Sequence, residues 1–296
     1  MKIVRIAESI NVMSESLGPA MKTREPKPIQ EMAAKEQERG ADILDINIGP
    51  ARKDGDKLME WMVKTVEEVS DLPLSLDTTN PVAMEAGLKA VTKARPIINS
   101  IWLQPGQMEA LLSMVTKYDA QMVGLLWGTE GMPRDINERA LRATELVYAA
   151  NEAGIANEDI YLDPIVSPVS VEINQIISAV EFMSMVGEIA PGVKSTVGLS
   201  NISNGTPNHL RGILNRTYMI MLNKYSSLYS AIVDVFDDEL STLATGGMEE
   251  ICKLVWGIMD GKELDFSNLS EKAIQYAKTT RVLMGKSLYS DSWLEI

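Results

Sequence analysis

Ile43-Leu-Asp-Ile-Asn-Ile48, then a helix-patterned run over Asp56–Val69, then Leu72-Pro-Leu-Ser-Leu-Asp77: this stretch decides the fold. The two outer segments are short apolar runs bounded by turn residues, which predicts strands. The middle carries apolar residues at 3.6-residue spacing, which predicts a helix. Strands this short, with a helix between them, call for parallel pairing through a crossover.

The same unit recurs outward in both directions. Strands are predicted at Ile3–Ala7, Ile43–Ile48, Leu72–Asp77, Pro96–Ser100, Gln121–Leu126, Ile160–Asp163, Ser195–Leu199 and Ala231–Asp234. Helices are predicted between them at Pro28–Arg39, Asp56–Val69, Pro81–Lys89, Pro105–Tyr118, Asn137–Ala153, Val171–Val186 and Arg211–Asn223. Eight such repeats suit a closed α/β (β/α)₈ TIM barrel. The open doubly wound alternative lacks its Gly-x-Gly-x-x-Gly fingerprint after any strand. Met248–Met259 and Ser270–Leu288 then predict extra C-terminal helices. The expectation is one domain over 1–296 with a helical insertion near 246–270, centred on Gly261–Asn268.

Composition narrows the chemistry. A single cysteine, Cys252, excludes an internal disulfide or a cysteine-built metal cluster, and a single histidine, His209, excludes a His-rich zinc site. A net charge of −13 argues against general affinity for nucleic acid. No apolar run is long enough to span a membrane, and no signal peptide precedes the first strand, so the expectation is cytoplasmic. Most of the 18 methionines read as core filler, with a minority able to soften a protein surface.

Side chains alternate across a strand, so residues two apart share a face. Asp45 and Asn47 share one face, Ser75 and Asp77 another, and Ile97 with Asn99 and Tyr161 with Asp163 follow suit. The inward face thus turns polar towards each carboxyl end, where barrel active sites lie. The ring reads Glu8 and Asn11, Asn47, Asp77, Asn99, Asp163 and Asn201. The last belongs to Thr196-Val-Gly-Leu-Ser-Asn-Ile-Ser-Asn204, read as a buried strand ending in amides and hydroxyls.

Carboxylates alone suit Mg²⁺ or Ca²⁺, but amides are as numerous here, so no metal is assigned. No Ser/His or Cys/His pair serves nucleophilic catalysis. Carboxylates that accept paired N–H bonds, beside amides that donate and accept, suit a flat heterocycle such as the 2-amino-4-oxo pyrimidine half of a pterin. Turn formation or helix capping is the alternative reading for each residue singly.

Glu8-Ser-Ile-Asn11, Gly40-Ala-Asp-Ile-Leu-Asp-Ile-Asn47, Leu76-Asp-Thr-Thr-Asn80, Ile98-Asn-Ser100, Asp163-Pro164 and Gly198-Leu-Ser-Asn-Ile-Ser203 occur in that order. Together they resemble the pterin-binding methyltransferases, including the folate domain of cobalamin-dependent methionine synthase. Met59-Glu-Trp61, Asn215-Arg-Thr217 and Ser287-Leu-Tyr-Ser-Asp-Ser292 resemble most the methyltetrahydrofolate:corrinoid-protein methyltransferases of anaerobes. The resemblance runs from the first strand through the eighth. It implies a homodimeric (β/α)₈ barrel with folate at the mouth, moving a methyl group between N5 of tetrahydrofolate and the cobalt of a corrinoid.

By motif position, Asp77, Asn99 and Asp163 would hold the pterin, and Asn201 would address N5 as the catalytic residue. Glu8 and Asn11 fall on the first-strand Glu-x-x-Asn, Asn47 lines the ring, and Arg211 falls on the loop arginine. Arg211 also reads simply as a solvated cation, and His209 as an exposed loop residue or a proton relay. Asn204 joins the folate-binding set, although the loop from Asn201 to Arg211 is longer than in the family. Trp127-Gly128 stands where an asparagine-containing turn is expected.

No Asp-x-His-x-x-Gly motif is present, so the corrinoid would arrive on a partner protein docking at the mouth. These departures lean towards methylation of tetrahydrofolate in an O-demethylase-type system. The alternative is methyl donation from methyltetrahydrofolate to the corrinoid iron-sulfur protein of acetyl-CoA synthesis. Dihydropteroate synthase, which should carry a Ser-x-Lys-type segment at the seventh strand, ranks low, as does a non-catalytic folate-binding subunit.

Overall fold

A computed structural model describes residues 2–263 and 265–295. Eight parallel strands, β1 (Val4–Ala7), β2 (Ile43–Asn47), β3 (Leu74–Asp77), β4 (Ile97–Leu103), β5 (Gln121–Gly128), β6 (Ile160–Asp163), β7 (Lys194–Ser195) and β8 (Ser230–Val233), form one sheet. Its order is β7-β6-β5-β4-β3-β2-β1-β8. The ends meet through a bridge between Gly198 and Ile232, where the Ile232 N–H donates to the Val197 carbonyl at 2.8 Å. The fold is the expected (β/α)₈ barrel.

Helices α1 (Leu17–Thr23) and α2 (Pro26–Glu38) follow β1, and α3 (Gly55–Glu67) follows β2. Then come α4 (Pro81–Ala90), α5 (Gln107–Lys117), α6 (Ile136–Glu152), α7 (Ile173–Phe182), α8 (Val186–Ile189) and α9 (Asn208–Leu222). After β8 lie α10 (Asp238–Ala244), α11 (Glu249–Met259) and α12 (Glu271–Leu283). Several starts are written in the sequence. Asn80 accepts from the Val82 and Ala83 N–H groups with Pro81 in the first turn, and Asp135 accepts from Glu138 N–H.

Three expectations need correction. The predicted strand Ser195–Leu199 pairs only at Lys194–Ser195, and Leu199–Ser203 is a 3₁₀ turn. Hydroxyls explain this: Ser203 Oγ donates to the Ser200 carbonyl and Thr206 Oγ1 to the Ser203 carbonyl, which favours a tight turn over a ladder. Asn201 therefore sits on that turn, not at a strand end. The predicted helix Val171–Val186 stops at Phe182, where Ser184 Oγ donates to the Glu181 carbonyl at 2.7 Å and the chain turns before α8 opens at Val186. Helix α9 starts at Asn208, so His209 and Arg211 both lie in its opening turns.

The core has two parts. Ile6, Ile43, Ile97, Val123 and Tyr161 pack together inside the barrel, with Val4 and Ile232 against them, forming an apolar plug. A larger cluster fills the space between strands and helices. The C-terminal helices are packed against α9, where Trp256 Nε1 donates to the Ile220 carbonyl at 2.8 Å. Of the stretch expected to be inserted, Leu264 lies outside the described residues. Among the described residues no helix is long and apolar enough to cross a membrane.

Candidate active site at the barrel mouth

Above the apolar plug the barrel interior becomes polar, as alternation requires. Sheet register sets Asp45 beside Ser75, Asn47 beside Asp77, and Asp77 beside Asn99. Ser75 Oγ donates to Asp45 Oδ1 at 2.6 Å, and Asn99 Nδ2 donates to the same oxygen at 3.2 Å. Asn47 Nδ2 donates to Asp77 Oδ2, while its Oδ1 accepts from the Gly49 N–H at 2.9 Å. Asn47, Asp77 and Asn99 are thus one contiguous lining, and Asp45 is their buried foundation.

Asp163 faces them from β6. It accepts from the Ile165 N–H at 2.8 Å and from the backbone of Gly198. Ile165 has φ of 68°, a left-handed conformation that a β-branched residue adopts only under constraint, at a cost of about 1–3 kcal/mol. The constraint comes from two sides. Asp163 holds the Ile165 N–H, and the fully buried Arg139 donates through Nε to the Pro164 carbonyl at 2.9 Å. Arg139 Nη2 also reaches Gln175 Oε1 at 2.7 Å, and Nη1 reaches Ser178 Oγ.

Burial pushes the Asp45 and Asp163 carboxyls up to about 6, and pushes Asp77 well above the usual carboxylate range, with Asp45 adding repulsion. Ionised, these groups are under-solvated, so a ligand that brings N–H donors relieves them. The same shifts make the site pH-sensitive. A carboxyl whose folded pKa lies above its unfolded value near 4 adds stability at low pH, and that stability is lost as pH rises through about 6. Asn in place of Asp45 still accepts from Ser75 and Asn99. Asp45→Asn is expected to melt like the parent near pH 3.5 or below, where the carboxyl is mostly protonated in folded and unfolded chain alike, and to be more stable by about 1–3 kcal/mol near pH 8. Thermal melts at the two pH values check this, and a variant less stable at both would refute it.

The rim is built around the turn Leu199–Ser203. Asn201 is exposed there, and its Oδ1 accepts from Asn204 Nδ2 at 3.1 Å. Its own Nδ2 has no hydrogen-bond partner among the described residues and lies over Gly198, where a Cβ would come within 2.9 Å. Glycine at 198 is what lets the amide settle. Ser200 Oγ donates to Glu8 Oε1 at 2.7 Å, and Asn215 Nδ2 reaches Ser200 Oγ at 3.5 Å.

The predicted residues therefore divide. Asn47, Asp77, Asn99 and Asp163 line the mouth, with Glu8, Asn201, Asn204 and Arg211 around its β1–α9 side. Asn11 is bridged to Asn47 by backbone, and its own Oδ1 accepts from the Met13 N–H at 2.8 Å, so it forms a turn. His209 is exposed. Asp45 was legible as the residue two before Asn47, and Asn215 as part of Asn215-Arg-Thr217. Ser200 was legible only as part of Gly198-Leu-Ser-Asn-Ile-Ser203, and Arg139 carried no such signal. Among the described residues no three of His, Cys, Asp and Glu are grouped to hold a metal ion.

Residues 7–221 match the family described as pterin binding enzyme. The chain belongs to the pterin-binding enzymes. Over 258 residues it is 24% identical to a methylcorrinoid:tetrahydrofolate methyltransferase of Eubacterium limosum, covering 85% of this chain and 94% of that protein. It is 27% identical over 211 residues to methionine synthase of Mycobacterium tuberculosis, covering 68% of this chain but 18% of that much longer protein. Among solved structures, dihydropteroate synthase of Xanthomonas albilineans superposes with a TM-score of 0.59 at 20% identity, covering 82% of this chain and 91% of that one. The Coxiella burnetii dihydropteroate synthase gives 0.57 at 18%, covering 82% and 92%. At those identities the two structures speak for the shared barrel alone. The residues matched as pterin-binding span β1 through α9, the same span that supplies the ring and the rim of this enzyme.

Proposed function

We propose that this pterin-binding enzyme moves a methyl group between N5 of tetrahydrofolate and the cobalt of a corrinoid carried by a separate protein. The observation that carries the reading is the Asn201 amide. It is oriented by Asn204, has a free donor, and stands at the rim of a ring of buried carboxylates and amides. In this reading Asp163 and Asp77 accept from the 2-amino and ring N–H groups of the pterin, and Asn99 pairs with the remaining edge. The Asn201 side-chain amide then meets N5.

In the direction of tetrahydrofolate methylation, the N5 lone pair forms the new N–C bond. The C–Co bond breaks with its electron pair going to cobalt, which leaves as Co(I), and the N5 proton is released. The reverse direction passes through the same transition state. The Asn201 amide meets the charge that N5 carries as the methyl group is exchanged: its oxygen accepts from the N5–H, which becomes a stronger donor as the nitrogen turns positive, the kind of contact that lowers a barrier. No protein nucleophile is needed, because the corrinoid carries the difficult chemistry. We assign tetrahydrofolate as acceptor, supported by the name of the Eubacterium limosum relative and by the departures noted in the sequence.

A dihydropteroate synthase reading finds no lysine at the turn where Asn201 stands. Lys194 lies on the opposite end of β7, its amine over the rings of Tyr161 and Tyr229. The loops that follow the strand ends present Met13 and Val171 to solvent, Trp127 is exposed near the end of β5, and Val82 is exposed in the first turn of α4. We assign that apolar rim to the corrinoid protein.

Removing one charged acceptor from the pterin tests the site. Asp163→Ala is expected to weaken tetrahydrofolate binding by about 10- to 150-fold, the worth of a hydrogen bond to a charged group. Calorimetric titration reads it, and unchanged affinity would move the pterin elsewhere.

A further inference from the structure

Glu8 is half-buried at the end of β1, and its carboxyl is engaged by protein before any ligand arrives. Ser200 donates to it, and Ser200 in turn receives Asn215, whose own Oδ1 is buried and unpartnered. Ser200 is covalently next to Asn201 and lies within the same short 3₁₀ turn. Three separate elements, β1, the turn and α9, are thus tied through one hydroxyl. Backbone bonds within the turn fix its shape, since the Asn201 N–H donates to Gly198 and the Asn204 N–H to Asn201. The turn is held to the barrel at Ile202, whose carbonyl accepts from the Val169 N–H at 2.9 Å, and by the buried Leu199 and Ile202 side chains, while the Glu8–Ser200–Asn215 chain is the tie next to Asn201.

We propose that Glu8 is a positioning residue for Asn201, acting through Ser200, and that it does not itself bind the pterin. The inference rests on the reading of Asn201 as the N5 contact. A 3₁₀ turn is a short, poorly bonded element, and an amide on it is useful only when held within a fraction of an ångström of its target. Without Glu8 the Ser200 hydroxyl loses its acceptor and the Ser200–Asn201 part of the turn can shift, which moves the amide away from N5 while leaving the pterin ring's contacts on Asp77, Asn99 and Asp163 intact.

The surroundings bear on the charge of Glu8. Burial is the largest influence and raises it to about 7, opposed by the Ser200 hydrogen bond. Asp234 from the end of β8 and Asp45 from β2 add repulsion, and Arg211 from α9 favours the ionised form. Glu36 on α2 faces Asp45 and Asp234 and is itself raised to about 7, its Oε1 accepting from the Ser9 N–H. The ionised carboxylate is the stronger acceptor for Ser200, so the turn is held most firmly above about pH 7.

The test separates positioning from binding. Glu8→Ala and Ser200→Ala are each expected to lower kcat about tenfold while changing the tetrahydrofolate Kd less than about twofold. The double variant should be no slower than either single one, because both cut the same chain. Glu8→Gln keeps an acceptor and should recover most of the loss. The ratio of wild-type to Glu8→Gln kcat should rise by about threefold as pH passes through the titration of Glu8, an effect a structural residue would not show. A Kd weakened as severely as by Asp163→Ala, with kcat intact, would overturn the proposal and make Glu8 a pterin ligand. Additive losses would overturn it as well. Ser200→Ala removes one oxygen, so it keeps the test open if Glu8→Ala does not fold. If wild type binds tetrahydrofolate but exchanges no methyl group, the underlying reading fails instead, and the variants are not needed to see it.

Discussion

Asn201→Ala is expected to lower kcat by about 10²- to 10³-fold and to leave the tetrahydrofolate Kd within a few-fold of wild type. The asymmetry follows from where the residue stands. Asn201 is exposed at the rim, on a turn outside the strand ends, whereas the residues with buried polar atoms to satisfy are Asp77, Asn99 and Asp163. Binding the pterin ring draws on those buried groups. Asn201 contributes when N5 changes its charge, and the loss of one aimed amide at such a point costs several kcal/mol of barrier and little ground-state affinity. Single-turnover methyl exchange together with calorimetric binding resolves the two quantities. A large loss of affinity with kcat preserved would make Asn201 a binding residue only.

Arg139→Met is expected to destabilise the protein by about 3–5 kcal/mol, lowering the melting temperature by on the order of 10 °C. Arg139 is fully buried on α6, and none of its bonds goes to a carboxylate. Its guanidinium is spent on the Pro164 carbonyl, Ser178 Oγ, and the Gln175 side-chain and main-chain oxygens. Burial lowers its pKa from the usual arginine range, with the more distant Asp135 and Asp163 among the opposing influences. Methionine fills similar volume but leaves those acceptors buried without donors, each a loss of about 1–3 kcal/mol. The effect should not stop at stability. The Pro164 carbonyl is one of two restraints on the strained Ile165, so its release lets Asp163 drift, and tetrahydrofolate affinity should fall with the melting temperature. An Arg139→Met protein that melts like wild type would show that the turn needs no such support.

These residues also mark where sequence reading succeeds. The barrel was legible because period-two strands and period-3.6 helices alternate through the chain, and the mouth because Asn47, Asp77, Asn99 and Asp163 fall at equivalent places on successive strands. Asp45 lay in the same pattern, but its role as an internal acceptor for Ser75 and Asn99 depends on neighbouring strands and cannot be read from its own. Thr196–Asn204 looked like a strand because its apolar residues are β-branched or large. The serine and threonine hydroxyls, which bond to local carbonyls, turned it into a 3₁₀ element after two paired residues. Arg139 was silent for another reason. An arginine between Glu138 and Ala140 on an amphipathic helix has the signature of a solvated residue, and only the packing of α6 on the Asp163 turn reveals otherwise.

The central claim is methyl exchange between a corrinoid and tetrahydrofolate at this barrel mouth. It is tested most directly by mixing the enzyme with a methylated corrinoid protein and tetrahydrofolate under reducing, oxygen-free conditions, and following the corrinoid spectrum together with the folate product. The expected result is conversion of methyl-Co(III) to Co(I) with equimolar 5-methyltetrahydrofolate, abolished for practical purposes in Asn201→Ala. A corrinoid that stays methylated in the presence of enzyme that demonstrably binds tetrahydrofolate would contradict the account.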